Sequence, residues 1–286
     1  MIYYNRNKNY QSTLGPGSLY LGFYNYFLPA IFLITTYFVF FIEIDSYFSG
    51  LLKPGDPTTS EFAFVVLLLY SMLFFIAVMV ANQRWSRNRM MAGVSLTGIG
   101  IILLVLVVHT LAILNELTHA YFQKGGGTFG ALEFFIRYIV IAMTALLLYK
   151  GQQTLNEFVQ EPTLKKAWTL TVYGVVLAFI SAEYLCWTSF SGAGNQYKLG
   201  LSVVWGVYAL MLIVLGIRKK QKHLRLAAIV LFLVTLIKLF FYDLADSSTI
   251  TKTISFISLG VLLLVVSFLY NKYKEVLFGD GDRAGE

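Results

Sequence analysis

The chain has 286 residues, of which 13% are charged, 57% apolar and 16% aromatic. Soluble globular domains carry roughly 25% charged residues, so this chain has too little polar surface to keep a compact particle in water, and its mean hydropathy of +0.68 excludes a soluble enzyme. The same composition excludes disorder, and the single cysteine, Cys186, excludes an internal disulfide framework and any zinc site built from several cysteines.

In chain order, residues 1–23 form a polar N-terminal segment rich in tyrosine and asparagine. The apolar run that follows has no small-residue cleavage site and reads as a retained span. A hydrocarbon core of about 30 Å requires about 20 helical residues. Eight apolar runs meet that length, near 24 to 42, 62 to 81, 92 to 114, 132 to 150, 167 to 187, 199 to 217, 225 to 244 and 254 to 272. They are unbroken, as in Val65 to Tyr70 and Ile101 to Val108, without the polar alternation of barrel strands. The expected fold is therefore all-α: a polytopic transmembrane helix bundle of eight spans forming one domain over 24–273. A flexible tail follows over 274–286.

Charge gives an independent test of this topology, because short cytoplasmic loops accumulate lysine and arginine. Eight spans place 16 of the 22 basic residues on one side, including Arg84, Arg87, Arg89, Lys150, Lys165, Lys166 and the run from Arg218 to Arg225. Nine of the 15 acids fall on the other side, giving +10 inside and −3 outside. Both termini are then expected to be cytoplasmic. The Arg218 to Arg225 run marks orientation, with contact to anionic lipid as a secondary role. The expected partner is the lipid bilayer; nucleic acid is not a partner, and no pattern in the chain sets an oligomeric state.

Ionisable groups within spans are costly and are candidate functional groups by default. Here they gather toward the outer leaflet: His109, Glu116, His119, Glu133, Arg137, Glu183, Lys238 and Asp243. Each also has a structural reading. Glu133 and Arg137 stand i,i+4 in the favourable order and can pair on one helix face. Lys238 lies 13 residues beyond Arg225, about 20 Å along a helix, where it can snorkel or turn inward to meet an acid such as Glu183 or Asp243. Glu183, beside Tyr184 and Trp187, can be a helix-end acid at an aromatic interface.

His109, Glu116 and His119 are spaced seven and three apart, which keeps them on one stripe of a continuous helix. No second element supplies further ligands, so no metal and no cofactor is expected. Gly125 to Gly130 lacks the Gly-Lys-Ser/Thr ending of a phosphate loop and reads as a flexible outer loop. Gly93, Gly98 and Gly100 read as helix-packing positions, and Cys186, without a basic neighbour, as inert.

From Trp205 to Tyr273 the sequence carries a dense set of local matches. They are Trp205-Gly206-Val207-Tyr208-Ala209, Gly216-Ile217-Arg218, Leu224-Arg225-Leu226-Ala227, Lys238-Leu239-Phe240-Phe241-Tyr242-Asp243-Leu244, and Ser255-Phe256-Ile257-Ser258-Leu259-Gly260 followed by Leu269-Tyr270. This region resembles the C-terminal end of a large bacterial family of polytopic predicted membrane proteins of unknown function. Members usually carry glycine where Ala228 stands and arginine where Lys252 stands, and are often longer. The resemblance implies a bacterial cytoplasmic membrane, and either a short member or the terminal part of a longer parent. It brings no activity, and it includes Lys238 and Asp243 in its signature.

Three functions fit these observations. The first is transport or handling of a lipid or envelope precursor through an outward-facing polar cavity. The second is a structural or assembly protein whose polar residues lock helices together. The third is a membrane enzyme acting on a lipid-linked substrate, with Glu183, His109 or Glu133 as acid or base. The lack of a compact catalytic motif weighs against the third, and the lack of a broken span with charge at its midpoint weighs against an ion-coupled transporter.

Overall fold

A backbone in lipid must satisfy its own N–H and C=O groups, so the unbroken apolar runs close into helices. The computed structural model describes residues 27–51, 57–124, 128–190 and 196–239, and scattered positions between 249 and 268. The helices are α1 Leu28–Leu51, α2 Pro57–Ala81, α3 Arg89–Val105, α4 Leu111–Lys124, α5 Ala131–Phe158, α6 Pro162–Phe190, α7 Gln196–Arg218 and α8 Lys222–Lys238. Two π-helical turns interrupt them, Asn82–Ser86 after α2 and Leu106–Thr110 between α3 and α4. Among the described residues six helical stretches are long and apolar enough to cross a membrane: Leu28–Leu51, Thr58–Ser86, Arg89–Gln123, Ala131–Phe158, Pro162–Ser189 and Lys198–Arg218. The seventh expected span coincides with α8 as far as Lys238. Most of the eighth, and the tail over 274–286, lie outside the described residues, as does the N-terminal segment 1–23.

The chain divides into two compact units, Met1–Lys165 and Lys166–Glu286, with the boundary in the first turn of α6. In the first unit α2 packs against α1, α3, α4 and α5, and α5 also meets α3 and α4. The central seam is a heptad stripe on α2, where Val65, Met72 and Met79 are completely buried. The buried stripe of α5 runs Glu133, Arg137, Val140, Thr144, Leu147, Gly151, Thr154 in steps of three and four. Both charged residues of α5's first turns are therefore on its core face.

In the second unit α7 and α8 form an antiparallel hairpin around Tyr208, Leu212, Ile213, Leu224 and Ala228, with Leu170, Tyr173 and Leu177 of α6 packed on that core. Close approach is set by Gly216, where a Cβ would come within 2.7 Å of Arg225 Cγ. Of the three glycines read as packing positions in α3, Gly98 faces the Phe75 ring, which a Cβ would overlap, while Gly93 and Gly100 have no neighbour for a Cβ among the described residues. That part of the expectation is corrected: two of the three glycines lie on the exposed side of the helix.

Candidate functional site

In the first unit Glu133, Arg137, Asn115 and Thr59 lie near the start of α5. Helix α5 starts after Gly130, whose φ of +56° suits glycine. Glu133 stands in the third helical position, fully buried, and its Oε1 accepts the backbone N–H of Phe129 at 3.1 Å. A carboxylate there satisfies a donor left over by the helix start and complements the helix dipole. The Phe129 ring stacks on Phe62 at 4.3 Å and meets the edge of Phe48, which pins the turn to α1 and α2. Thr59, also buried, donates to Thr128 Oγ1 at 3.4 Å in the same turn. One helical turn after Glu133, Arg137 is 4% exposed and donates from Nη1 to Asn115 Oδ1 of α4 at 3.1 Å.

The other candidates in this unit sit elsewhere on their helix. His109 is exposed within the second π turn, with the edge of its ring against Phe64 at 5.0 Å. Its neighbour Thr110 is fully buried and donates from its side-chain Oγ1 to Val105 O, five residues earlier. Glu116 is exposed and His119 half-buried, and Asn115 of α4 reaches the buried Arg137 of α5. No group of three metal-ligating side chains occurs among the described residues.

In the second unit Lys238 turns toward α7, donating from Nζ to Ser202 Oγ at 2.9 Å and to the Lys198 carbonyl at 3.4 Å. This ties the last turn of α8 to the first turns of α7. Glu183 is half-buried on α6, and Asp243 lies outside the described residues. Three further bonds join α6 to α7 and the turn after it: Trp205 Nε1 to Ser181 Oγ at 2.9 Å, Tyr208 Oη to Tyr173 O at 2.7 Å, and Lys219 Nζ to Tyr173 Oη at 3.2 Å.

At the basic end of this unit lies a group that hydropathy does not reveal. The Nε2 of His223 and the Oε1 of Gln221 are buried and have no hydrogen-bond partner among the described residues. Burial, and then the positive charge of Lys166, hold the His223 imidazole below its ordinary 6.5. The signal available in the sequence was weak: a histidine and a glutamine inside a run of five basic residues, where charge draws all the attention.

The segments that carry the family resemblance thus supply many of the contacts that bind α6, α7 and α8: Trp205, Tyr208, Gly216, Arg225 and Lys238 each touch another helix or its turn. The likeness extends well beyond them toward the N-terminus. No curated protein and no solved structure matches the chain. With a match that runs from residue 17 to residue 273, the chain belongs to the family described as Predicted membrane protein (DUF2339).

Proposed function

We propose that this chain is a membrane-embedded scaffold of eight spans with both termini in the cytoplasm, whose buried polar residues set helix position and register. The observation that carries this reading is the use of its buried and half-buried charges. Glu133 caps the start of its own helix, Arg137 reaches Asn115 on α4, and Lys238 reaches Ser202 on α7. In hydrocarbon such bonds fix which helix faces meet, because apolar contact alone discriminates little against lipid. The partition of 16 basic residues against six supports the orientation, and a bacterial inner membrane is the matching location.

A second reading, the handling of a lipid or envelope precursor, is favoured by the π turn at Leu106–Thr110. Such turns gather at functional sites, and this one precedes the helix that carries Asn115. Paired substitution separates the two readings. As a scaffold contact, Arg137→Met destabilises the purified protein, and adding Asn115→Leu recovers much of the loss together with the cellular phenotype. A double variant that folds at wild-type level yet keeps the null phenotype overturns the scaffold reading in favour of substrate handling.

A further inference from the structure

The turn between α7 and α8 holds two unanswered polar atoms within a cationic surface. Helix α7 ends with Lys220 in the left-handed region at φ +53°, closed by Gln221 N–H to Gly216 O at 2.9 Å and Lys220 N–H to Ile217 O at 3.1 Å. Gln221 then opens α8 in an extended conformation, and its side chain makes no cap hydrogen bond. Two residues on, His223 carries the second unpartnered atom. Buried polar groups in native proteins are nearly always satisfied, so a pair of exceptions on one turn points to a group that is not protein.

Among the described residues of this unit the charges near them are basic. Lys166, Arg218, Lys219, Lys220 and Lys222 are exposed, and between residues 162 and 242 Glu183 is the single acid, toward the far end of α6. Lys166 shares the α6 stripe of Leu170 and Tyr173 that packs on the α7–α8 core, which brings its charge to His223. Trp168 Nε1 is a third buried atom without a partner, but it lies on the opposite α6 stripe, with Val175, Ala182 and Cys186, and takes no part here.

We propose that the α7–α8 turn, with Lys166, binds a phosphate-bearing anion, either the headgroup of an anionic lipid or free phosphate. His223 donates from Nε2, and Gln221 donates through its amide once the side chain is turned end for end, an orientation set by whichever partner is present. Both residues are partly exposed at the end of the helices, beside the exposed Lys220 and Lys222. The lysines supply the attraction and the two neutral donors supply the position. The site is separate from the scaffold contacts, which lie on the helices themselves.

The test uses the full chain in nanodiscs of phosphatidylcholine, to which phosphatidylglycerol or inorganic phosphate is added while thermal unfolding is followed. Phosphatidylglycerol is expected to raise the unfolding temperature saturably. His223→Leu and Gln221→Glu should each raise the half-saturating amount about tenfold, Lys166→Gln about fivefold, and Lys150→Gln, a basic residue of the other unit bonded to Gln153, should leave it unchanged. The same pattern with inorganic phosphate alone identifies the free anion as the ligand. No stabilisation by either addition, or an equal loss in Lys150→Gln and Lys166→Gln, overturns the proposal in favour of water or diffuse charge. The chain has three histidines, so the imidazole resonance missing in His223→Leu is assignable, and its titration should move upward on binding. Gln221→Glu alters one atom on a partly exposed turn and keeps the test valid if His223→Leu fails to fold.

Discussion

The turn after α2 and the turn after α7 solve one problem with the same backbone and different side chains. Each places a basic residue in the left-handed region, Arg87 at φ +47° and Lys220 at φ +53°, followed by an extended amide residue, Asn88 or Gln221, that starts the next helix. In the first turn every amide is engaged. Asn82 clasps Asn88 twice, accepting its N–H at 2.9 Å and donating to its carbonyl at 3.0 Å, and Asn88 in turn accepts from Met90 N–H at 2.8 Å. Gln83 extends the clasp to Thr154 of α5. In the second turn the longer Gln221 side chain misses the cap that Asn88 makes, and its Oε1 has no partner among the described residues. The contrast separates a turn built for rigidity from one that leaves polar atoms available.

The comparison is broken most directly at the clasp. Asn82 is 1% exposed, and Asn82→Ala strands the N–H of Asn88 and leaves its C=O to the Ala92 N–H alone, so it should cost about 2 kcal/mol in equilibrium unfolding in detergent. Gln221→Ala removes no hydrogen bond that the described residues make and should change stability by about 0.5 kcal/mol or less. Equal losses at the two positions would show that the turns are not distinguished in this way.

A smaller effect sharpens what the turns share. Neither Arg87 nor Lys220 is a glycine, and the left-handed region costs a residue with a Cβ about 1 to 2 kcal/mol. Arg87→Gly and Lys220→Gly should therefore each stabilise by about 0.5 to 1 kcal/mol, the rest being lost to the greater freedom of the unfolded chain. Calorimetry of the two variants should give matching gains. A gain at Lys220 with none at Arg87 would mean that the asparagine clasp, and not the residue in the turn, sets that backbone.

These turns also mark what the sequence could and could not reveal. Apolar runs located the helices but under-measured them: the run near 132 to 150 lies inside Ala131–Phe158, and that near 24 to 42 ends nine residues before the helix Leu28–Leu51 does. Hydropathy records the length that suits lipid, while a helix continues wherever its backbone bonds continue, through Gln152 and Gln153 and past Glu43 and Asp45. The proline that opens α6 extended that helix upstream of its apolar run. Nothing in Leu-Val-Val-His-Thr announces a π turn, because its cause is a shift of hydrogen-bond register and not a residue type. Glu133 and Arg137 stood out because buried charge is costly. Their neutral partners, the Phe129 amide and Asn115, did not, since an uncharged polar group in a helix is unremarkable until its neighbour is known. Gln221 and His223 were hidden for the opposite reason: five basic residues around them account for the loop as a marker of orientation.

The smallest expected effect tests His223 itself. In the unfolded chain its imidazole titrates near the ordinary 6.5, whereas burial and Lys166 lower that value in the folded protein. Above about 6.5 the ring is neutral in both states and the folded protein keeps its full stability. As pH falls below that value the unfolded state binds a proton first, so stability declines until the folded-state value is passed, and then levels off. His223→Leu should remove that slope from unfolding profiles measured between pH 7 and pH 5 in phosphatidylcholine, while Gln221→Ala should leave it. Phosphatidylglycerol should flatten the slope in the native chain, because an anion beside the ring favours the imidazolium and raises the folded value toward the unfolded one. A slope that survives in His223→Leu belongs to another group, and a slope unaffected by anionic lipid would separate the titration of this histidine from any ligand at the turn.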